Sequence, residues 1–287
     1  MKNTLKIFFE LTKIRITLFV MLTTAFGYIA ASSQIDIRII PVLIGVLLLA
    51  FGSAALNHYQ EKDFDSKMNR TNKRPIPSGR ISPVNVLIVS TGLVIIGSVI
   101  LIVFTDFLVL SLGLLNLVWY NFFYTLLKRK TPFAIIPGSF VGAIPPVIGW
   151  VAAGGSMSDP QMIIIAFFFF IWQIPHFWLL LLVMDDDYKR AGFPTLSMLF
   201  NKAQLSRITF IWIISTVVTG LMIPLFGIVT QLWIDIALFI SGMLLTWRAF
   251  GLLAESNDFS EFRLNFRSIN YFALSVVFFV SIDKLIS

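Results

Sequence analysis

The chain has 287 residues, 57% of them hydrophobic, and a mean hydropathy of +0.87, against roughly 45–50% apolar usage in soluble domains. A soluble enzyme is excluded, and the net charge of +7 does not point to nucleic acid, because the basic residues lie in short loops between apolar runs. With no cysteine, disulfides, thiolate metal sites and a cysteine nucleophile are excluded as well.

In chain order, the N-terminal "MKNTLKIFFELTKIR" is charged and amphipathic, lacking the apolar core and small-residue cleavage site of a signal peptide. Nine apolar runs of about bilayer-spanning length follow, at 15–33, 39–60, 82–104, 106–127, 133–153, 160–184, 206–227, 230–251 and 267–286. The chain is therefore expected to be a single all-α membrane domain over residues 1–287. Laid on nine spans, 20 of the 22 Lys/Arg fall on one face, leaving only Arg38 and Lys284 on the other. The positive-inside rule then places the N-terminus in the cytoplasm and the C-terminus outside. A missed or added span would destroy that asymmetry, so it also supports the count.

The second span runs without a break into "NHYQEKDFD". Asn57, Glu61 and Asp65 repeat every four residues, so on a helix they form one stripe that drifts about 40° per step. Asp63 points away from it. An amide beside carboxylates on adjacent turns suits a hard cation such as Mg²⁺, which is commonly held by one or two carboxylates plus substrate phosphates. The alternative is a solvated helix end. Asn57 argues against it, because it precedes the polar loop, where an apolar residue would be cheaper. The sixth span ends in Asp185, Asp186 and Asp187. These splay about 100° apart, so at most two face one site. Both clusters lie on the same membrane face, and each is followed by basic residues and then proline, a weak internal echo. Carboxylates facing one another with basic loops nearby make a clamp for a diphosphate and Mg²⁺.

The pattern Asn57-x3-Glu61-x3-Asp65 followed by "KMNRTNKRPIPSGRIS" resembles the first signature of the UbiA-type intramembrane prenyltransferases. The segments "YTLLKRKTP", "GAIPPVIGW", "WQIPHFWLLLL" and "DYKRAGFPTL" narrow the resemblance to the branch that farnesylates protoheme IX. The likeness runs over nearly the whole chain. It implies a nine-helix bundle with a central cavity and transfer of a farnesyl group from farnesyl diphosphate to a vinyl group of heme b, with addition of a hydroxyl. It further implies Mg²⁺ as cofactor, the inner membrane as location, and downstream heme-modifying or terminal-oxidase assembly machinery as partners. Two departures stand out. Glu61 replaces the usual Asp of the first motif, and the second motif lacks two Asp four apart, keeping instead the pair Asp187-Tyr188.

Carried over by position, Asn57, Glu61, Asp65 and Asp187 are the expected metal and catalytic group, with Asp186 as a second choice. Arg70, Lys73, Arg74, Lys128 and Arg129 are candidate pyrophosphate contacts, and His176 and Tyr188 are candidate heme contacts. His58 is expected to be a neighbour, and Asp235 to reach the interface or pair with Arg38. Two other readings remain at this stage: a related enzyme acting on a quinone precursor or chlorin, and a small transporter. The second requires polar residues at the midplane of several spans, possibly with broken helices.

Overall fold

The structure is a computed structural model that describes residues 2–254 and 259–287. Among them are nine helices long and apolar enough to cross a bilayer. An amphipathic helix, α1 (Lys2–Leu11), precedes the first of these, α2 (Ile14–Ser32). Next come α3 (Ile39–Asp65), α4 (Pro83–Phe104), α5 (Phe107–Leu127), α6 (Pro132–Ala152) and α7 (Pro160–Val183). A seven-residue helix, α8 (Asp185–Ala191), leads to α9 (Lys202–Phe226), α10 (Leu232–Leu253) and α11 (Ser260–Ile286). The spans match those expected from hydropathy, with ends moved by a few residues.

Local chemistry sets the helix starts. Ser82 accepts from the Asn85 amide ahead of Pro83, Asp106 accepts from the Val109 amide, and Asn201 with Gln204 forms a reciprocal capping box. In hydrocarbon every backbone group must be satisfied internally, so such caps fix where a span begins. Exposed Ile88, Ile95, Val99 and Val103 on α4 form a face suited to lipid.

Backbone approach decides the tightest contact in the bundle. A Cβ on Gly27 of α2 would lie 1.9 Å from the Pro146 carbonyl oxygen of α6, and one on Gly149 equally close to that of Thr24. Small residues let these two helices touch main chain to main chain, as membrane helices do where no hydrophobic force separates protein from lipid. At the end away from the acidic motifs, buried Asp283 accepts the amides of Thr230 and Gln231 at the start of α10. Arg38 there is bound to Asp36 at 2.6 Å. The expected partnership of Arg38 with Asp235 is thus not formed. The two-residue spacing of Asp36 and Arg38 in one turn gives a closer partner.

Candidate active site

The stripe on α3 is present and buried. Asn57, Glu61 and Asp65 are 0%, 6% and 1% exposed, whereas Asp63 faces outward. Each stripe residue meets a basic side chain. Asn57 Oδ1 accepts from Lys13 Nζ at 2.7 Å, Glu61 pairs with Lys128, and both oxygens of Asp65 accept from Arg74 at 2.8 Å. Burial alone would lower the Lys128 ammonium, but the Glu61 carboxylate beside it holds it above the usual lysine value. Thr71 Oγ1 closes the loop by donating to the Asp65 carbonyl oxygen at 2.9 Å.

Lys13 was legible only as an orientation charge, and it is the main residue that sequence reasoning missed. It stands between α1 and α2 with φ 49°, a left-handed conformation that a non-glycine residue rarely adopts. That break turns the chain so that the ammonium reaches Asn57 and, at 3.4 Å, the Tyr120 hydroxyl. Desolvation lowers its pKa to about 7; Arg74 pushes the same way, and Glu61 opposes.

Tyr120 was missed for a second reason. Within α5, residues Trp119–Tyr124 form a π-helical turn, a feature frequent at functional sites and silent in hydropathy. The turn stacks Tyr120 on Tyr124 with ring centroids 5.9 Å apart. It also buries Asn121, which donates to the Ser53 carbonyl oxygen and to Gln60 Oε1. Thr125 follows and accepts from Asn57 Nδ2 at 3.2 Å.

The second acidic cluster is not the cap of α7. The chain breaks at Met184, and the three aspartates open α8, where a helix N-terminus favours negative charge. Asp187 accepts the backbone amides of Asn69 and Arg70 at 3.3 Å, tying itself to the loop that follows the first motif. Asp185 is held by the Ser197 hydroxyl and by Lys189. Asp186 faces outward, so of the two expected aspartates only Asp187 contacts the loop that follows the first motif. Tyr188 packs beside Phe193 and the buried Met68 of that loop.

The basic candidates divide. Arg70, Lys73 and Arg74 line a cavity of about 710 Å³ together with Lys6, Lys13, Arg80 and His58. His58 is 2% exposed and adjoins the site, as expected of a neighbour. Arg129 instead donates to the Gln60 carbonyl oxygen at 2.7 Å and lies over the Phe64 ring, so it anchors the end of α3. Its place beside Lys128 in sequence hides that they point to different partners. On the cavity rim Glu10, held below the usual carboxylate range by its hydrogen bond to Arg80, joins α1 to the loop at 2.5 Å.

Tyr124, the neighbour of Tyr120, begins a run of aromatic contacts. Tyr124 stacks on Phe177 of α7 at 5.8 Å, and Phe19 of α2 lies against Trp172 at 5.5 Å. His176 sits between them in sequence, with Nδ1 2.7 Å from Asn270 Oδ1 of α11. His176 and Tyr188, the two expected heme contacts, are therefore held by different partners.

The UbiA prenyltransferase family profile matches residues 20–270. The chain belongs to this family. A UbiA prenyltransferase is a membrane enzyme, and the curated relatives of this one narrow the likeness. It is 33% identical to the protoheme IX farnesyltransferase of Cytophaga hutchinsonii, over 99% of this chain and 100% of that protein. It is 34% identical to that of Christiangramia forsetii over 97% and 93%, and 37% identical to that of Aquifex aeolicus over 82% and 82%. Among solved structures, one described as digeranylgeranylglyceryl phosphate synthase superposes with a TM-score of 0.81 at 18% identity, covering 100% of both chains. A UbiA homologue from Archaeoglobus fulgidus bound to GPP and Mg²⁺ gives 0.66 at 14% identity, covering 98% of this chain and 100% of that one. These two show the fold. This UbiA prenyltransferase thus has both acidic motifs and the basic side chains that meet them at one end of the family bundle.

Proposed function

We propose that this prenyltransferase moves a farnesyl group from farnesyl diphosphate onto a vinyl group of heme b, adding a hydroxyl, in the inner membrane. The observation that carries the reading is the pairing of the buried first-motif acids with cations, Asp65 with Arg74 and Glu61 with Lys128, while Asp187 binds the amides of the loop that follows that motif. Relatives named protoheme IX farnesyltransferase over nearly the full chain support heme as the acceptor.

The donor set fits Mg²⁺ in the way that metal is usually bound. Among the described residues no preformed group of three or more acidic or histidine ligands exists, but one or two carboxylates plus substrate phosphates suffice. Asp65 and Glu61 would hold the ion, with Asn57 and Asp187 as further oxygen donors. When bound, Mg²⁺ supplies Lewis-acid neutralisation of the departing pyrophosphate. Arg74, Lys128 and Lys13 face the acids from the basic side, and Arg70 and Lys73 extend the grip along the cavity. Breaking the allylic carbon–oxygen bond sends its electron pair to pyrophosphate, where these cations receive the charge. The aromatic faces of Tyr120, Tyr124 and Phe177 shelter the positive prenyl carbon from water and attract it through their ring quadrupoles. The vinyl carbon then attacks, and water adds to the resulting cation with loss of one proton.

Membranes holding the protein, given farnesyl diphosphate, heme b and Mg²⁺, are expected to yield a heme heavier by a hydroxyfarnesyl group by mass spectrometry. Asp65→Asn and Asp187→Asn are each expected to lower turnover at least about 100-fold without loss of folded protein. Unmodified heme alongside a prenylated aromatic acid would replace the heme reading with the quinone one.

A further inference from the structure

His176 and Asn270 carry a consequence for how the heme is held, one that rests on the reading of heme as the acceptor. The Asn270 amide NH₂ donates to the Phe266 carbonyl oxygen at 2.6 Å, which fixes the flip of that amide. Its oxygen therefore faces His176 Nδ1 at 2.7 Å. An amide oxygen only accepts, so Nδ1 must carry the proton. The proton-free lone pair is then on Nε2, which has no hydrogen-bond partner among the described residues and is not among the sealed, unpaired buried atoms, unlike both ring nitrogens of His58. A histidine whose Nδ1–H is fixed by an oxygen acceptor, with Nε2 left bare, has the arrangement that metal-ligating imidazoles show.

The imidazole lies among aromatic rings. Trp172, Phe266 and Phe177 lie 4.7, 5.0 and 5.6 Å from the imidazole centroid. Phe177 continues through Tyr124 and Tyr120 to the Lys13 ammonium at the mouth. His176 is seven residues before the end of α7 at Val183 and so lies about 10 Å deeper in the bundle at 1.5 Å rise per residue. That depth separates an iron-binding position from the diphosphate end while keeping both on one aromatic wall.

We infer that His176 Nε2 is the axial ligand to the iron of the heme substrate, and that Asn270 is the positioning residue that sets its tautomer and ring orientation. A hydrogen bond that only joined α7 to α11 would need neither a bare Nε2 nor iron.

The test is a titration of the purified full-length protein with ferric heme b, read by its visible absorption and electron paramagnetic resonance spectra. The wild type is expected to show an imidazole-ligated heme. His176→Ala is expected to lose that signature and bind at least about 10-fold more weakly, with added imidazole restoring the spectrum. Asn270→Leu is expected to weaken heme binding about 10–100-fold, and Asn270→Asp, which keeps an acceptor at Nδ1, to retain the signature. Farnesyl diphosphate binding, measured on the same variants, is expected to stay unchanged and so reports a folded mouth. Retention of the imidazole signature in His176→Ala, or equal affinity in Asn270→Leu, overturns the inference and leaves the heme reading standing. A wild-type protein that binds no heme overturns both.

Discussion

Lys13 joins a left-handed backbone, an amide partner and a depressed pKa in one residue, and each has a measurable counterpart. The unfolded chain holds this proton up to the model-peptide value of 10.5, while the folded protein releases it near 7. Between those values the unfolded state binds more protons, so stability rises with pH, by at most about 1.4 kcal/mol per pH unit. Below pH 7 both states are protonated and the slope vanishes. Chemical unfolding followed between pH 7 and 10 is expected to show this slope in the wild type and a flatter curve in Lys13→Met. Lys128 behaves as the reverse case, because its partner is a buried carboxylate. Lys128→Met strands Glu61 and is expected to cost about 3 kcal/mol. Adding Glu61→Gln removes the stranded charge and is expected to recover part of that loss, which unfolding of the two variants would show. Stability equal in both would mean that the pair contributes nothing.

At the scale of elements, hydropathy alone located the spans, because apolar length is a property of sequence composition. The π-helical turn at Trp119–Tyr124 was invisible for the opposite reason. It changes which residues face the site without changing how apolar the run is. Likewise the four-residue repeat from Asn57 to Asp65 revealed its stripe because a helix of constant pitch carries it. The three aspartates read as the end of the sixth span but open a separate helix, because nothing in the hydropathy marks the break at Met184. Arg129 and Lys128 meet different partners, the Gln60 carbonyl oxygen and Glu61, because adjacent residues on a helix end point in different directions, which one-dimensional proximity conceals. The contact between α2 and α6 is a case where glycine identity decides packing. Gly27→Val would drive its side chain into the Pro146 carbonyl. It is expected to cost about 3 kcal/mol, read as a lower thermal midpoint, while the same change at Gly92, where a Cβ meets open space, is expected to be far milder.

For the molecule as a whole, the charge asymmetry that supported nine spans also predicts orientation. The chain has no cysteine, so single cysteines report sidedness without background. In spheroplasts, a cysteine at Ser33 or Ser287 is expected to react with a membrane-impermeant maleimide, and one at Ser66 or Ser78 only after permeabilisation. The opposite pattern would invert the topology and move the acidic mouth to the outer face.

The pairing of every stripe residue with a base has one more consequence, best put as linkage. Within the mouth Asp65 is paired with Arg74 and Glu61 with Lys128, while the neutral Asn57 amide accepts from Lys13. If Mg²⁺ and diphosphate bind there as proposed, a lone metal ion would pull a carboxylate from its cation and strand that cation. A lone diphosphate would strand the carboxylate instead. Arriving together, the two would exchange partners with the carboxylates and cations. On the proposed function their affinities would therefore be coupled, each raising the other by the same factor through thermodynamic reciprocity.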